Sequence, residues 1–514
     1  MSSLLKRLAA TVERYGHHPA VLCERASLSH EDVRDLSEQI AIQLVQRGIQ
    51  VGDRVALYAI NGPEFPILYL GILKAGATVV PINLLINRPE VEYVLEDSGA
   101  RGILYSEGLL ERLGLDLSSR GDLLFSLKVG GASTIENSLK AVLPDSKQPY
   151  EPPDVSDQNL AAILYTSGTT GFPKGAMLSH GNLAANTCSV TQAMDWRPGQ
   201  DRVLVVLPMF HAFAATVGVL TPLTNGSTIL PLPRFEPDHV AEAIGHFGAT
   251  IFLGVPSMYG VLLRLSAERT PLFRSLRFGI SGGAALPVSV HEAFEKRFGI
   301  TLYEGDGPTE CSPVTCVNPI GGVNKPGTVG LPVPDVEMRI FDEAGNEQVD
   351  GEIGEIAVRG PSVMQGYWGK PEETREVFLD GWFLTGDLGL RDRDGYFSIV
   401  DRKKDLIIVN GMNVYPRMIE EVLNAHADVL EVAVVGEINE RHGEVPVAYL
   451  AIREGADLDA RSLRDYCRSQ LGRHQIPKRF EILDALPKNA AGKIMKRELR
   501  KHGEVERGVD LKSG

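Results

Sequence analysis

The sequence predicts an α/β fold, with a large N-terminal domain of βαβ subdomains that contains parallel sheets and a small β subdomain, then a small α+β C-terminal domain. Three changes of pattern along the chain predict it. Between residues 54 and 303, short β-branched runs alternate with helical patterns, which is typical of parallel sheets covered by helices. Residues 326–400 hold short strands and tight turns, which indicate the β subdomain. After DRKKD at 401–405 the pattern returns to mixed α/β.

The elements of the N-terminal part follow one another as strand and helix signals. The first segment, MSSLLKRLAATVERYGHH, is interrupted by charges and predicts a surface helix rather than a secretory signal. In folds of this kind, ligands bind where loops leave the carboxyl ends of the strands. The predicted elements that follow are Arg54 to Ile60, Phe65 to Lys74, Thr78 to Pro81, Gly102 to Tyr105, Ala161 to Tyr165, Asp238 to Phe247, Ile251 to Leu253, Val288 to Phe298 and Ile300 to Tyr303.

Composition excludes several classes of protein. The 514 residues are 43% hydrophobic and 23% charged, which is ordinary for a globular chain. A net charge of −14 argues against nucleic acid as a partner, because such binding needs a basic surface. The five cysteines are scattered and odd in number, which favours a reducing, cytoplasmic location. No apolar run reaches the length of a membrane span, so any membrane contact is expected to be peripheral.

The stretch YTSGTTGFPKG, Tyr165 to Gly175, has the ingredients of a phosphate-binding loop. It combines glycines, hydroxyl side chains and Lys174 after a predicted strand, before a helix that Ser179 is expected to cap. It differs from the ordinary P-loop, because Lys174 is followed by Gly175 rather than by Ser or Thr. A simple polar turn is the alternative when the loop is considered alone.

Other polar segments follow the loop, and each has an ordinary explanation alone: a core histidine, a turn, a solvated linker or a surface lysine. Their chemistry is nevertheless suited to a nucleotide, since a carboxylate can accept two hydrogen bonds from a ribose diol. The segments are PMFHAFA with His211, SGGAALP at 281–287, EGDGPTE at 304–310, WFLTGDLG with Asp387, DRKKD with Arg402 and LPKNAAGKI with Lys493.

Taken in order, YTSGTTGFPKG, GPTE, TGD, DRKKD, GMNVYP and PKNAAGK resemble the acyl-adenylate-forming (AMP-binding) superfamily over nearly the whole chain. That group includes acyl-CoA synthetases, luciferases and peptide-synthetase adenylation domains. SGGAALP, ECSPVTCVNP, GTVGLPVP, QGYW and VDRKKDLIIVNGMNVYP are most similar to fatty-acyl-CoA ligases. The resemblance implies that ATP activates a medium- to long-chain fatty acid to acyl-AMP, with release of pyrophosphate, and that CoA then takes the acyl group and AMP leaves.

The resemblance also implies domain borders and residue roles. An N-terminal domain would span 1–400, a hinge 401–405 and a mobile C-terminal domain 406–514, with Asp387 and Arg402 on the ribose and Thr166 and Glu310 on Mg²⁺. The residues implied to hold the β- and γ-phosphates are Thr166, Ser167, Gly168, Thr169, Thr170, Gly171 and Lys174. Those implied to surround the adenine and the α-phosphate are Gly282, Gly283, Ala284, Gly305, Asp306, Gly307, Pro308 and Thr309.

The two half-reactions imply a set of catalytic and hinge residues. Lys493 would bridge the substrate carboxylate and the ribose-phosphate oxygen and would leave before the thiol enters, with Lys404 at the hinge. His211 would line the acyl end of the site, and Lys174 would neutralise the leaving pyrophosphate. Gly411, Met412 and Asn413 would face the thiol tunnel. No general base is needed, because the attacking carboxylate is already ionised above pH ~5.

One position departs from the family pattern, and several alternatives stay open. Asp306 stands where the family usually has an aromatic residue stacked on adenine. A carrier-protein phosphopantetheine could replace CoA as the acceptor, although the absence of a large insertion favours CoA. An aryl or short-chain acid could replace the fatty acid as substrate. Two weaker alternatives for the function are a luciferase-like oxidase and a non-catalytic ATP sensor. The expected assembly is a monomer or a homodimer.

Overall fold

The computed structural model describes residues 1–117, 120–166, 173–439, 441–453, 455–456, 458–488 and 494–500. The helices are α1 Ser3–Tyr15, α2 His30–Gln46, α3 Glu64–Lys74, α4 Arg88–Asp97, α5 Leu109–Leu113, α6 Ile135–Leu139, α7 His180–Ala193, α8 Thr221–Asn225, α9 Pro237–Phe247, α10 Pro256–Leu262, α11 Val288–Phe298, α12 Pro371–Glu376, α13 Pro416–Asn424 and α14 Ala460–Arg468. A π-helix spans Ala214–Leu220.

The strands alternate with these helices, as the sequence predicts. They are β1 Pro19–Cys23, β2 Ala26–Ser29, β3 Arg54–Tyr58, β4 Thr78–Pro81, β5 Gly102–Ser106, β6 Phe125–Val129, β7 Leu160–Thr166, β8 Lys174–Ser179, β9 Arg202–Val205, β10 Thr228–Pro231, β11 Ile251–Gly254, β12 Phe278–Ser281, β13 Leu302–Asp306, β14 Cys316–Val317, β15 Leu331–Pro332, β16 Glu337–Phe341, β17 Gly354–Arg359, β18 Phe378–Leu379, β19 Trp382–Arg391, β20 Phe397–Arg402, β21 Ile407–Val409, β22 Met412–Val414, β23 Val429–Asn439, β24 Gly443–Ile452 and β25 Arg479–Ile482.

Two largely parallel sheets confirm the predicted fold class. One has the strand order β15-β14-β13-β12-β11-β9-β10-β1-β2, and its central pairs from β13 to β1 are parallel. The other has the order β6-β5-β3-β4-β7-β8, with parallel pairs from β6 to β7. Every residue of β4, β10, β11 and β12 is buried, as expected for strands covered on both faces.

Local signals explain where individual elements begin and end. The predicted surface helix is α1, which buries Leu4, Leu5 and Leu8 on one face. Ser179 caps α7 as predicted, since its hydroxyl accepts a hydrogen bond from the backbone N–H of Asn182. The strand predicted to reach Ile60 ends two residues earlier, because the N–H of Ile60 donates to the Ser106 hydroxyl instead of a neighbouring strand.

The chain separates into two compact units, and the second is the smaller. Unit 1 comprises Met1–Leu286, Val290–Met338 and Val358–Phe383, and unit 2 comprises Pro287–Ser289, Arg339–Ala357 and Leu384–Gly514. These limits come from the packing of the chain. The borders of the N-terminal domain, the hinge and the C-terminal domain at residues 400 and 405 stay a prediction. In the part that the structure describes, no helix combines the length and apolar character needed to cross a bilayer.

Two smaller five-stranded sheets follow β15 along the chain. One has the order β16-β17-β19-β18, with β20 paired to β19, and it contains the short strands predicted for the β subdomain. The C-terminal sheet has the order β22-β21-β24-β23, with β25 paired to β24. Its core side chains, including Val434, Leu450 and Leu463, pack together with Ile419 of α13.

Candidate active site

Three of the predicted segments of unit 1 leave the nine-stranded sheet at the same edge. The parallel strands β9, β12 and β13 lead into PMFHAFA, SGGAALP and EGDGPTE respectively, with β12 next to β13 and β11 between β12 and β9. A methyl group added at Gly282 would lie 3.1 Å from Cε1 of Phe213 and 3.5 Å from the Gly305 carbonyl oxygen. The sheet therefore brings the three segments into contact at the edge where α/β folds bind ligands.

Close packing at one position and a left-handed backbone at another explain two of the glycines in these segments. A Cβ at Gly307 would lie 1.8 Å from the carbonyl oxygen of Pro313, so no side chain fits there. Gly283 has φ of 77°, a left-handed conformation that other residues rarely adopt. Nearby, Glu304 is buried and its Oε1 accepts the backbone N–H of Leu286 at 2.9 Å. This carboxylate ties the end of SGGAALP to β13.

A hydroxyl and carboxylate cluster joins the two parallel sheets of unit 1. The Thr166 hydroxyl, at the end of β7, donates to Oε1 of Glu310 at 3.3 Å. The hydroxyl of Tyr367 donates to the same oxygen at 3.0 Å. The Lys174 ammonium lies 5.4 Å from the centroid of the Tyr367 ring. Thr166, Lys174 and Glu310, which the sequence singles out separately, are thus held around one tyrosine.

A second polar network anchors the strand that enters the loop. Oδ2 of Asp97, the last residue of α4, accepts the hydroxyl of Tyr165 at 2.6 Å. The carbonyl oxygen of Asp97 accepts the indole N–H of Trp368 at 2.9 Å. Burial, followed by the hydrogen bond to Asp97, raises the pKa of Tyr165 well above its usual range. Tyr165 therefore stays a hydrogen-bond donor and fixes the backbone next to Thr166.

His211 has a defined orientation in the turn before the π-helix. Its Nδ1 accepts the backbone N–H of Phe213 at 3.3 Å, which places the ring proton of a neutral imidazole on Nε2. The π-helix that follows is buried at every residue. Its Thr216 hydroxyl donates to the Ser312 carbonyl oxygen at 2.7 Å, so this helix is attached to the segment after Glu310. π-Helical turns are frequent at functional sites.

Asp387 and Arg402 lie in unit 2, where they face each other across β19 and β20. Nε of Arg402 lies 3.2 Å from Oδ1 of Asp387, whose side chain is largely buried. Glu355 binds the chain neighbours of both residues. One of its oxygens accepts the backbone N–H of Gly386 at 3.0 Å and the other accepts the Lys403 ammonium at 2.9 Å.

The predicted hinge forms a 3-10 turn, Lys403–Asp405, between β20 and β21. Burial, followed by the nearby Arg402 charge, lowers the pKa of Lys404, while Asp405 opposes the shift. Asp405 is itself paired with Arg500 at 2.7 Å. The Lys404 ammonium is thus held in a crowded group of charges within unit 2.

The predicted thiol-tunnel residues form the tip of a hairpin. Asn410 and Gly411 connect β21 to β22 with φ of 52° and 79°, the left-handed pair that a tight two-residue hairpin turn requires. Met412 and Asn413 follow on β22, and both are exposed. His442 steadies the turn, since its Nδ1 lies 3.0 Å from Oδ1 of Asn410.

Several predicted residues lie outside the described part of the chain: Ser167, Gly168, Thr169, Thr170, Gly171 and Lys493. Conversely, sequence reasoning missed Tyr367, Asp97 and Glu304 as parts of the site. Tyr367 belongs to QGYW, which the sequence analysis used only as a mark of resemblance. Asp97 and its partner Trp368 are 271 positions apart in the sequence. No local sequence pattern could reveal a contact of this kind.

Comparison with known proteins identifies the relatives of this chain. The sequence pattern described as AMP-binding enzyme matches residues 8–368, and that of the AMP-binding enzyme C-terminal domain matches residues 418–493. The chain belongs to the AMP-binding enzyme family. The resemblance inferred from the motifs is thereby confirmed, and the fold agrees with solved structures of the same family.

Individual members of the AMP-binding enzyme family match this chain over nearly their whole length. The long-chain-fatty-acid–CoA ligase of Yersinia pestis is 37% identical over 97% of this chain and 94% of its own. The feruloyl-CoA synthase of an Amycolatopsis species is 34% identical, over 94% and 96% respectively. The crystal structure of ATP-bound MatB from Rhodopseudomonas palustris superposes with a TM-score of 0.91 at 33% identity, over 98% and 99% of the two chains.

The predicted departure from the family pattern at Asp306 can be tested. Asp306 ends β13, opposite Cys316, and its carbonyl oxygen accepts the N–H of Thr315 at 3.0 Å. We expect Asp306→Tyr to keep acid-dependent pyrophosphate exchange or to lower the KM for ATP. The reason is that a ring stacked on a base contributes roughly 1–3 kcal/mol. The measurement is the KM for ATP in that exchange.

Asp306→Asn is the matched control, since it removes the charge without adding a ring, and we expect its KM for ATP to stay close to that of the unaltered protein. A hundredfold loss of exchange in both variants would contradict the expectation. It would mean that the Asp306 carboxylate has a role of its own, such as accepting a hydrogen bond from the adenine amino group.

Proposed function

We propose that this protein is an ATP-dependent acid–thiol ligase that converts a medium- to long-chain fatty acid to its CoA thioester through an acyl-adenylate. The observation that carries the proposal is the cluster of Thr166, Lys174 and Glu310 at the strand edge of unit 1, in a chain of the AMP-binding enzyme family. The names of relatives, a long-chain-fatty-acid–CoA ligase among them, support the substrate class.

The residues present suit a magnesium ion that arrives with ATP. Mg²⁺ prefers oxygen ligands and is usually held by one or two carboxylates together with substrate phosphates. Thr166 and Glu310 supply a hydroxyl and a carboxylate within 3.3 Å of each other. In the described ranges, no group of three or more acidic, His or Cys side chains forms a dedicated metal cage. When bound, the ion would neutralise charge on the departing pyrophosphate.

In the first half-reaction, the fatty-acid carboxylate attacks the α-phosphorus of ATP, and the bond to the β-phosphate oxygen breaks. Two anions must approach, so the main task of the protein is to hold positive charge and hydrogen-bond donors around the phosphates. Lys174, the loop hydroxyls and the backbone N–H groups of the glycine loop are proposed to do this. Lys493 is proposed to bridge the carboxylate and the ribose-phosphate oxygen.

The nucleotide and acyl ends of the site are assigned to different segments. The SGGAALP and EGDGPTE loops are proposed to surround the adenine and α-phosphate, and the Asp387–Arg402 pair is proposed to hold the ribose. The acyl chain is proposed to lie along the buried π-helix after His211 and beside α10, where Met258 and Leu262 are buried. Apolar side chains there favour an alkyl chain over a charged group.

In the second half-reaction, a thiol attacks the carbonyl carbon of the acyl-adenylate, and AMP leaves. Lys493 is then proposed to move out of the way as residues after the hinge rotate about Lys404. The hairpin tip at Gly411, Met412 and Asn413 is proposed to line the passage of the pantetheine thiol. Free CoA is the proposed acceptor, with a carrier-protein phosphopantetheine as the alternative.

The decisive test is a pyrophosphate-release screen over acids of increasing length, each with CoA, with a phosphopantetheinylated carrier protein, or with neither. We expect kcat/KM to rise about fourfold per methylene until the pocket is filled, since each buried methylene contributes about 0.8 kcal/mol. We expect this increase in kcat/KM within the series of acids from octanoate to palmitate. Release of AMP should require the thiol, and pyrophosphate exchange should not.

Two other outcomes would redirect the proposal. If ferulate or another aryl acid exceeds every fatty acid in kcat/KM, the fatty-acid assignment is wrong and the feruloyl-CoA synthase relative is the better guide. If the carrier protein is acylated faster than CoA, the acceptor assignment is wrong. A protein that binds ATP but releases no pyrophosphate with any acid would not be a ligase.

A further inference from the structure

Tyr367 occupies the point where the candidate phosphate and metal residues meet. It is 9% exposed, and its hydroxyl donates to Oε1 of Glu310 at 3.0 Å. The same oxygen accepts the Thr166 hydroxyl at 3.3 Å, and the Lys174 ammonium lies over the Tyr367 ring at 5.4 Å. The Tyr367 side chain therefore contacts both the Glu310 carboxylate and the Lys174 ammonium, the two groups that are proposed to bind magnesium-bound ATP.

The backbone around Tyr367 is held by independent contacts. Tyr367 forms an isolated antiparallel bridge with Ala176 of β8, and its N–H donates to the Thr374 hydroxyl at 2.9 Å. The next residue, Trp368, donates its backbone N–H to the Gly175 carbonyl oxygen at 2.8 Å and its indole N–H to the Asp97 carbonyl oxygen. These contacts fix the ring relative to the strand that carries Lys174.

The hydroxyl of Tyr367 acts as a hydrogen-bond donor to the Glu310 carboxylate. Because Tyr367 and Thr166 both donate to Oε1, they fix the plane of the Glu310 carboxylate, and neither hydroxyl uses Oε2. A carboxylate held in this way is prepared to present an oxygen to a cation, and such outer partners tune metal affinity.

We propose that Tyr367 is a positioning residue for magnesium-bound ATP, whose hydroxyl orients the Glu310 carboxylate toward the metal and whose ring directs the Lys174 ammonium toward the phosphates. The inference rests on the proposed function, because it needs ATP to bind at this cluster. A tyrosine that only fills space would affect stability and leave the dependence on Mg²⁺ unchanged.

The test separates the hydroxyl from the ring. Tyr367→Phe keeps the ring, and we expect it to raise the Mg²⁺ concentration for half-maximal pyrophosphate exchange about tenfold, since loss of an outer-shell partner costs about 10–100-fold in metal affinity. Saturating Mg²⁺ should restore kcat to within about twofold. Calorimetric titration without any acid should show a weaker Kd for ATP with Mg²⁺ and an unchanged Kd for ATP in EDTA.

Tyr367→Leu also removes the ring, and it should weaken ATP binding in EDTA by about threefold, the size expected for loss of one weak cation–π contact. The matched control is Tyr449→Phe, which removes a tyrosine hydroxyl that donates to the Glu437 carboxylate at 3.4 Å within unit 2. We expect this control to leave the Mg²⁺ midpoint unchanged.

Three results would overturn the inference: a Mg²⁺ midpoint in Tyr367→Phe within twofold of the unaltered protein, an equal shift in Tyr449→Phe, or equal weakening of ATP with and without Mg²⁺ in Tyr367→Phe. Failure of the proposed function would look different, because the unaltered protein would then release no pyrophosphate with any acid. The calorimetric comparison needs no turnover, so it tests Tyr367 in either case.

Discussion

Lys493→Ala is expected to slow acid-dependent pyrophosphate exchange by about 10²–10³, the typical cost of removing one preorganised donor to developing charge. The same variant should thioesterify a chemically supplied acyl-adenylate at nearly the normal rate. The reason is that Lys493 is proposed to contact the reacting groups only before the thiol enters. Isotope exchange measures the first half-reaction, and AMP release from the preformed adenylate measures the second.

Lys404→Pro is the counterpart, and it should have the opposite pattern. Proline fixes φ near −65°, so it should hinder a change of backbone conformation at the hinge and slow thioester formation. Adenylation should be spared, since no reacting atom is assigned to Lys404. Equal slowing of both half-reactions in each variant would contradict both assignments. A single fixed geometry of the site would then be the better model.

Asp201→Ala is expected to lower the free energy of unfolding by about 3–5 kcal/mol, the usual cost of breaking a buried ion pair from one side. The Asp201 side chain is 1% exposed, and both of its oxygens accept hydrogen bonds from Nη1 of Arg277, at 2.8 and 2.7 Å. It also accepts the Thr250 hydroxyl at 2.8 Å and the N–H of Arg197 at 2.7 Å. Alanine would remove the acceptor of the Arg197 N–H and of Nη1 of Arg277, while the Thr250 hydroxyl would keep the Arg202 carbonyl oxygen at 3.3 Å. Urea unfolding measures the change.

The control for Asp201 is a second carboxylate on the same arginine. Asp195 also pairs with Arg277, but its side chain is 57% exposed. Its φ of 45° is left-handed, so Asp195→Asn is the suitable change, because asparagine tolerates this backbone. We expect a loss of at most about 1 kcal/mol, as for other exposed ion pairs. If the two variants lose equal stability, burial is not what gives Asp201 its importance.

Features of this molecule that depend on residues close together in the sequence could be predicted from the sequence. The capped start of α7 at Ser179, the parallel strands and the glycine turns follow from neighbouring residues, and motif order identified the family. The cluster at Glu310 is different, because Thr166 precedes Glu310 by 144 positions and Tyr367 follows it by 57. Such contacts depend on how two sheets pack, which no local pattern contains. For the same reason the Asp201–Arg277 pair was not predicted.

The position of β1 has a consequence for synthesis on the ribosome. This strand pairs with β10, and the Thr228 hydroxyl donates to the carbonyl oxygen of Pro19, 209 residues earlier. The whole six-stranded sheet, from β3 to β8, is encoded between them. At roughly 5–20 residues per second, about 10–40 s pass between the synthesis of β1 and that of β10. The strands of the six-stranded sheet are thus all synthesised while β1 has only the short strand β2 as a partner, and the apolar side chains of α1 and β1 stay accessible to chaperones in the interval.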